Sequence, residues 1–385
     1  MKALIYVQHL LGSGQAVRMA GLAAALSEAG VETVLATGSR LPPFARDGTY
    51  EVVELPFARA RNALASAVVD DRGTVIDDRW RSRRRARLLH LFEDIRPDLL
   101  VIEGWPFGQR HFDFELNDLV AAARQREAPP LVVCALADAV PFAGDGSVEA
   151  GIIERIRNGI DLVLVNGDPR FLPFKASFDA AGEIEDGLLY TGYVHLGEDA
   201  PSTAGPDGAG EILVSCGSGA VGDLLLTTAL KARPLSGARD LRWRLLIGND
   251  MDDLMLSRLA SEAPPGVVVE RARRDFPNLL KRARLSVSQA GYNTVADLLA
   301  SGCPGVLVPF ARGGETEQTL RAAALARAGA AIAVEEFNLS PSRLAAAVDT
   351  ALTLERHDLG VKLDGLRESV RQLLARAPGE GWSAA

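Results

Sequence analysis

Around residue 290 the chain carries the residues best suited to hold an anion. A strand expected over 284–287 runs into Ser288-Gln289-Ala290-Gly291, and a helix is expected to begin around Asn293-Thr294. The first N–H groups of a helix have no partner within it and lie at the positive end of its dipole. A diphosphate fits such a place. Side-chain capping by Asn293 or Thr294 is the plainer explanation for one of those two residues. It does not account for the whole string SVSQAGYNTVADLLASGCPGVLVPF at 286–310.

A second place of the same kind is Gly12-Ser13-Gly14, after an expected strand at 2–7 and before an expected helix at 16–29. The third position of a GxGxxG pattern falls on Val17, so a dinucleotide fingerprint is incomplete. The glycines still let the backbone approach a ligand and aim helix N–H groups at it. The adjacent pairs Asp70-Asp71, Asp77-Asp78 and Asp252-Asp253 read as solvated turn or helix-start residues, and no metal site is expected from them. Cys134, Cys216 and Cys303 stand far apart in apolar stretches, without a CxxC pair, as reduced core thiols do. Arg79, Arg81, Arg83, Arg84, Arg85 and Arg87 lead into Leu88, Leu89, Leu91, Phe92 and Ile95, a cationic amphipathic helix. Such a helix can rest weakly on anionic lipid or hold a phosphorylated acceptor. The favoured reading is a solvated helix paired with Asp77, Asp78, Glu93 and Asp94.

Parallel sheets covered by helices would position these residues. Strands are expected near 2–7, 31–37, 50–55, 98–102, 131–135 and 161–165, with helices between most of them. Between Tyr193 and Gly210 the text is dense in Gly, Pro, Ser and acidic residues, which marks a linker. The pattern then restarts with strands near 211–215, 242–247, 266–269, 284–287, 304–308 and 331–333. The expected division is a first domain at 1–192, a linker at 193–210, a second domain at 211–378 and a frayed tail at 379–385. Open parallel sheets bind ligands beyond their carboxyl ends, so a cleft between two such domains is the expected site.

A length of 385 residues suits two domains, and 48% hydrophobic with 24% charged residues excludes fibrous and wholly disordered classes. The net charge of −8 gives no long-range attraction to a polyanion, so no nucleic-acid partner is expected. The N-terminal MKALIYVQHLLGSG is too short for a signal-peptide core, and no stretch approaches about 18 uninterrupted apolar residues. A cytoplasmic protein is expected.

QAGYNTVAD at 289–297, SGCPGVLVP at 301–309 and ETEQ at 315–318 resemble the donor-binding segment of GT-B nucleotide-sugar glycosyltransferases. The similarity is to MurG-like, family-28-type transferases and the UDP-dependent transferases of natural-product metabolism. YVQHLLGSGQAVR at 6–18, RPDLLVIEGWPFG at 96–108 and YTGYV at 190–194 resemble an uncharacterised bacterial branch of predicted glycosyltransferases. The resemblance implies an α/β GT-B fold, two Rossmann-like parallel-sheet domains facing a central cleft. It implies that Gln289, Asn293 and Thr294 touch the diphosphate, with Gly291 allowing close approach and Ser288, Ala290 and Tyr292 in the same string. Asp297 falls where relatives have a ribose-binding Glu; a carboxylate there accepts hydrogen bonds from two vicinal hydroxyls. Glu317-Gln318 match an acidic-Gln pair that holds sugar hydroxyls, and Glu315 and Arg321 lie nearby, either of them open to being only a solvated helix residue. Gly217-Ser218-Gly219 would lie under the diphosphate, Gly248 beneath the nucleotide, and the backbone of Arg273 at the base.

The implied activity is metal-independent transfer of a sugar, hexosyltransferase in type and inverting, from a UDP-sugar or other nucleotide-sugar to an unknown acceptor. No cofactor is implied; the nucleotide-sugar enters as co-substrate. Relatives place a His in the first glycine turn, whereas this chain has Gln15, which cannot accept a proton at neutral pH. The base role then falls to His9, Glu103 or Asp138. Two further departures, at Gly108-Gln109 and Ala137-Asp138, also lie in the acceptor half. A nucleotide-sugar hydrolase and a non-catalytic nucleotide-sugar-binding protein are the competing expectations, and oligomeric state is left open.

Overall fold

The computed structural model describes residues 1–10, 12–42, 48–61, 67–140, 146–197, 200–203, 205–217, 222–249, 251–312 and 315–378. The chain forms two compact units, 1–194 with 364–385, and 195–363.

In the first unit, β1 (Lys2–Val7), α1 (Gly14–Glu28), β2 (Glu32–Thr37) and β3 (Glu51–Glu54) open the fold. A two-residue ribbon, β4 (Arg59–Ala60) and β5 (Val68–Val69), follows. Then come α2 (Asp78–Ile95), β6 (Leu99–Glu103), α3 (Asp113–Gln125), β7 (Leu131–Leu136), α4 (Gly146–Gly159), β8 (Leu162–Val165) and β9 (Leu188–Tyr190). Seven strands make one parallel sheet in the order β3-β2-β1-β6-β7-β8-β9. The order reverses between β1 and β6, the place where such sheets open a crevice at their carboxyl ends.

Strand alternation assigns the core to two faces. Leu4 and Tyr6 of β1 pack with Leu88, Phe92, Leu116 and Ile153 from α2, α3 and α4. Ala3, Ile5 and Val7 pack with Met19, Ala23 and Leu26 of α1 and with Leu373.

The second unit contains β10 (Ile212–Ser215), α5 (Asp223–Ala232), β11 (Trp243–Ile247), α6 (Asp253–Glu262), β12 (Val267–Arg271) and α7 (Phe276–Arg282). It continues with β13 (Leu285–Ser288), α8 (Tyr292–Ser301), β14 (Gly305–Leu307), α9 (Glu317–Arg327), β15 (Ala331–Ala333) and α10 (Pro341–Ala351). Its six-stranded parallel sheet runs β12-β11-β10-β13-β14-β15 and reverses between β10 and β13. A last helix, α11 (Gly365–Arg376), belongs to the first unit.

The boundaries differ from the expected 193–210 linker and 211–378 domain in two ways. Residues from 364 onward return to the first unit, because Leu366, Val370, Leu373 and Leu374 form a helical apolar stripe that joins the α1 core. Their amphipathic spacing suits a helix on either sheet, so periodicity alone could not assign the host. The segment 195–210 is also more than a tether. Asp207 bonds both Arg244 and Arg273, at 2.8 and 2.7 Å, and Gly208 sits against Leu279. The tail at 379–385 lies outside the described residues.

The arginine run divides by helical phase. Arg79, Arg83, Arg85 and Arg87 are exposed on α2, but Arg84 is fully buried. Its guanidinium binds both Glu115 oxygens at 2.8 and 3.0 Å, Tyr6 Oη at 3.0 Å, Gln8 Oε1 at 2.9 Å and the Pro56 carbonyl at 2.6 Å. Arg84 is therefore unavailable to a lipid surface or an acceptor phosphate, a correction to the cationic-face expectation. No helix among the described residues is long and apolar enough to cross a membrane.

Removing one partner of such a pair strands a charge in the core. Glu115→Ala is expected to cost about 3–5 kcal/mol in urea unfolding, whereas Asp118→Ala, which breaks the exposed Arg85 pair, should cost no more than about 1 kcal/mol.

Candidate functional site

At the switch point of the second sheet, β13 ends at Ser288, and α8 starts at Tyr292, one residue earlier than its sequence spacing suggests. Its N-cap is Gly291, in extended conformation (φ −62°, ψ 150°), with no side-chain cap hydrogen bond. Asn293 and Thr294 lie inside the first turn, so neither occupies the cap that the plainer reading gave them. No described atom lies within 4 Å of where a Cβ on Gly291 would stand. The glycine is explained by space above the helix end, since its φ is open to any residue.

The turn before α8 is clamped from α9. Gln318 Oε1 accepts from the amides of Ala290 at 3.1 Å and Phe310 at 3.0 Å, tying the loops after β13 and β14 together. Arg321, only 1% exposed, donates to the Ala290 carbonyl at 3.3 Å and to Glu317 Oε2 at 3.0 Å. Its guanidinium lies 5.7 Å from the centre of the Tyr292 ring. Arg321 is thus a buried strut, which overturns its reading as a solvated helix residue. Gln289 N reaches Ser215 O at 3.3 Å, fixing the turn to the end of β10.

These contacts separate the expected donor residues into two groups. Gly291, Tyr292, Asn293, Thr294 and Asp297 are half-buried along the opening of α8. Ser288, Gln289 and Ala290 are buried. Ser288 reaches Ser286 Oγ at 3.5 Å, and both Ala290 backbone groups are engaged by α9, so these two support the turn instead of facing a ligand. Gly217 has φ +71°, a left-handed conformation that glycine supplies without strain. Ser218 and Gly219 lie outside the described residues. The Gly248 carbonyl accepts from Arg271 Nη1 at 2.9 Å. The Arg273 side chain is committed to Asp275, Asp207 and Glu270, at 2.7, 2.7 and 3.3 Å, and its pull holds Asp207 and Asp275 below the usual carboxylate range.

Two acidic groups near α8 and α9 are pushed the other way. Burial raises Asp297, against the opposing pull of His195. His195 Nε2 stands 3.3 Å from Asp297 Oδ1, a partner the sequence reading missed because His195 lay in a segment taken for linker. Glu315 is pushed up to about 7 by burial and by the like charge of Glu317.

In the first unit the expected bases have different environments. Glu103 is buried and ion-paired with Arg18 at 2.9 Å. Asp138 is fully buried and accepts from Tyr193 Oη at 2.5 Å. Both carboxylates are thus buried and engaged by side chains of the same unit, which stands against the base role expected of them. His9 lies just past β1, half-buried, with its ring 3.4 Å from the Arg40 carbonyl and its amide 3.1 Å from Ser39 Oγ. Gln15 is exposed in the first turn of α1, and Gly12 (φ +68°) and Ser13 precede it, with Gly14 the first helical residue. Gln109, one of the departures, adopts φ +62° and donates to the Gln8 carbonyl, bracing the loop after β6 against the end of β1.

Because the folded value of Glu315 lies above the ordinary 4.5, its protonated form favours the fold. That contribution is complete below about pH 4.3 and is lost as the pH rises through about 7. Glu315→Gln is expected to raise stability at pH 8 by up to about 3 kcal/mol and to change nothing at pH 4, as read by urea unfolding at the two pH values.

Residues 211–359 match the model of the glycosyltransferase family 28 C-terminal domain. A curated relative, the UDP-N-acetylglucosamine–N-acetylmuramyl-(pentapeptide) pyrophosphoryl-undecaprenol N-acetylglucosamine transferase of Brucella abortus (strain S19), is 32% identical over 222 residues. That match covers 55% of this chain and 58% of the relative. The enzyme of the same name from Synechococcus sp. (strain CC9605) is 32% identical over 177 residues, 44% of this chain and 47% of its own. The chain thus spans about half the length of the curated relatives it matches. Among solved structures, Acinetobacter baumannii MurG aligns at TM-score 0.57 and 16% identity, over 97% of this chain and 99% of that one. The calicheamicin glycosyltransferase CalG4 aligns at TM-score 0.58 and 19% identity, over 97% and 94%. The chain therefore has the GT-B glycosyltransferase fold, and residues 211–359 of its second unit are similar to the glycosyltransferase family 28 C-terminal domain.

Proposed function

We propose that the protein is a cytoplasmic, metal-independent glycosyltransferase that moves a hexose from a nucleotide-sugar, a UDP-sugar in the first instance, to a hydroxyl acceptor. The observation that carries this reading is the opening of α8. Its N-cap is a glycine without a side-chain cap bond, with no described atom within 4 Å of where its Cβ would stand, and a helix N-terminus favours a diphosphate. The family-28 match over 211–359 supports the same assignment for the same segment.

The chemistry follows from those groups. The acceptor oxygen attacks the anomeric carbon while the bond to the nucleoside diphosphate breaks, inverting that carbon. Charge building on the leaving diphosphate is stabilised by the α8 amides and dipole. Asn293 and Thr294 add polar side chains in the first turn, and Glu317 and Gln318 flank the sugar. His9 takes the acceptor proton, because Gln15 cannot and because Glu103 and Asp138 are sealed.

The exposed Gln15 favours a second reading, a nucleotide-sugar-binding protein without transfer activity. Rapid nucleotide release with water alone would instead identify a hydrolase.

A thermal-shift screen with UDP, GDP, TDP and their sugars tests donor binding. A ligand at 100 times its Kd should stabilise the fold by about 2.7 kcal/mol, and no response from any diphosphate would discard the donor site. Gly291→Val is expected to keep its melting temperature within a few degrees, since the space beside it is open. It should weaken nucleotide affinity at least about tenfold by filling the space above the helix end; unchanged affinity would remove α8 as the cradle. His9→Gln should abolish transfer while leaving donor affinity intact; an unaltered rate and pH profile would remove His9 as the base.

A further inference from the structure

The loops after β1, β2 and β3 are stitched into one platform from below. Gln8, fully buried, donates from Nε2 to the His9 carbonyl at 3.0 Å, to Ser39 Oγ at 2.7 Å and to the Ala58 carbonyl at 3.1 Å. Ser39 Oγ donates to the His9 carbonyl at 2.9 Å, and the amides of Ala58 and Ala60 donate to the carbonyls of Gly38 and Leu10 at 2.9 and 3.2 Å. Gly38 permits this closeness, since a Cβ there would run into the Arg84 guanidinium.

Exposure alternates along the segment that lies on this platform. Ala58 and Ala60 are buried, whereas Arg59 and Arg61 are exposed and Phe57 is half-buried. A period of two puts Phe57, Arg59 and Arg61 on one outer face. Arg40, exposed in the loop after β2, brings its guanidinium 5.8 Å from the centre of the Phe57 ring, and its carbonyl lies 3.4 Å from the His9 ring. Arg59 Nη1 turns back to the Ala60 carbonyl at 3.4 Å. Among the described residues none of these three arginines is ion-paired, whereas Arg81 and Arg85 of α2 are paired with Asp78 and Asp118. In a chain of net charge −8 they make a local positive patch beside His9. Like charges on a fixed platform repel one another, and an anion placed among them removes that cost. Guanidinium groups hold phosphate and carboxylate oxygens in a planar fork.

Resting on the reading of His9 as the base, we propose that Arg40, Arg59 and Arg61 form an anion subsite that selects acceptors carrying a phosphate or carboxylate group near the hydroxyl to be glycosylated. The anionic group lies on the 57–61 face, toward β2 and β3 and apart from the glycine turn before α1, and the hydroxyl points to His9. Because the platform beneath is already fixed by Gln8 and Arg84, the subsite needs no rearrangement to receive its ligand.

The test is calorimetry on the full chain with glycerol 3-phosphate, glycerate and neutral glycerol, the first two separating phosphate from carboxylate as the preferred group. At least one anion should bind about tenfold or more tightly than glycerol, and more weakly as salt is added. The double variant Arg40→Gln/Arg59→Gln, which alters only exposed side chains, should lose about tenfold or more of that affinity, while Arg87→Gln, at an exposed arginine of α2, should lose none. The ring resonances of His9 should move as the anion is added. Gly291→Val should bind the anion as the wild type does, so a failed donor cradle leaves this outcome untouched. No binding of either anion, with or without binding to phosphatidylglycerol vesicles, would overturn the subsite. So would affinity that survives in the double variant, an equal loss in Arg87→Gln, or unmoved His9 resonances. If the anions bind as expected but His9→Gln keeps its transfer rate, the subsite stands and the base assignment falls.

Discussion

The second unit is organised around a helix end that begins on a glycine, a residue that offers no side-chain cap. An uncapped N-terminus is costly when buried and useful when a ligand completes it. Keeping it open requires that the preceding turn be fixed by something else. Gln318 and Arg321, both on α9, do this by binding the Ala290 amide and carbonyl. The loops after β13 and β14 are then set by one amide side chain that accepts from each. A ligand meeting this surface would find its donors already oriented, which is the condition for electrostatic stabilisation without reorganisation.

Charged residues in the interior serve the same purpose elsewhere. Arg84 with Glu115, Arg18 with Glu103, and Arg244 with Glu211 are all nearly or wholly buried pairs. Desolvating such pairs offsets much of their Coulombic gain, so their value is in fixing geometry more than in stability. Arg84 ties α2 to β1 and α3 through Tyr6, Gln8 and Glu115, just below the turn that carries His9. Arg244 and Arg273 bind Asp207 and so fasten the segment before β10 to the second sheet. The same commitment engages Glu103 with Arg18 and Asp138 with Tyr193.

The first unit has the less settled chemistry. Its sheet switches direction between β1 and β6, and the loops that follow those strands carry His9, Gln15 and Gln109. Gln109 in a left-handed conformation braces one loop against the other, where relatives are expected to carry an arginine. An amide satisfies the backbone locally and offers no charge to a ligand.

Much of the fold was legible in the sequence because its signals are local. Alternating apolar runs and amphipathic segments gave the parallel strands and most helices, and QAGYNT marked the opening of α8. Three features depended on contacts between distant residues. The two-residue ribbon β4–β5 and the three-residue β9 are too short to show a period, and α11 has a period but no mark of which sheet it covers. Arg84 and Arg321 look like surface charges in a row of text, and only the helical phase against a folded neighbour sends them inward. Glu103 and Asp138 read as cleft carboxylates until Arg18 and Tyr193 close over them. His195 lay in a Gly- and Pro-rich stretch, and its pairing with Asp297 spans 102 residues. Sequence by itself determined which segments become strands and helices, and where a helix opens after a glycine turn, because those depend on neighbours a few residues apart. Tertiary structure alone decided which polar side chains lie along the opening of α8 and which support the frame, because burial and hydrogen bonding are set by residues that meet only after folding.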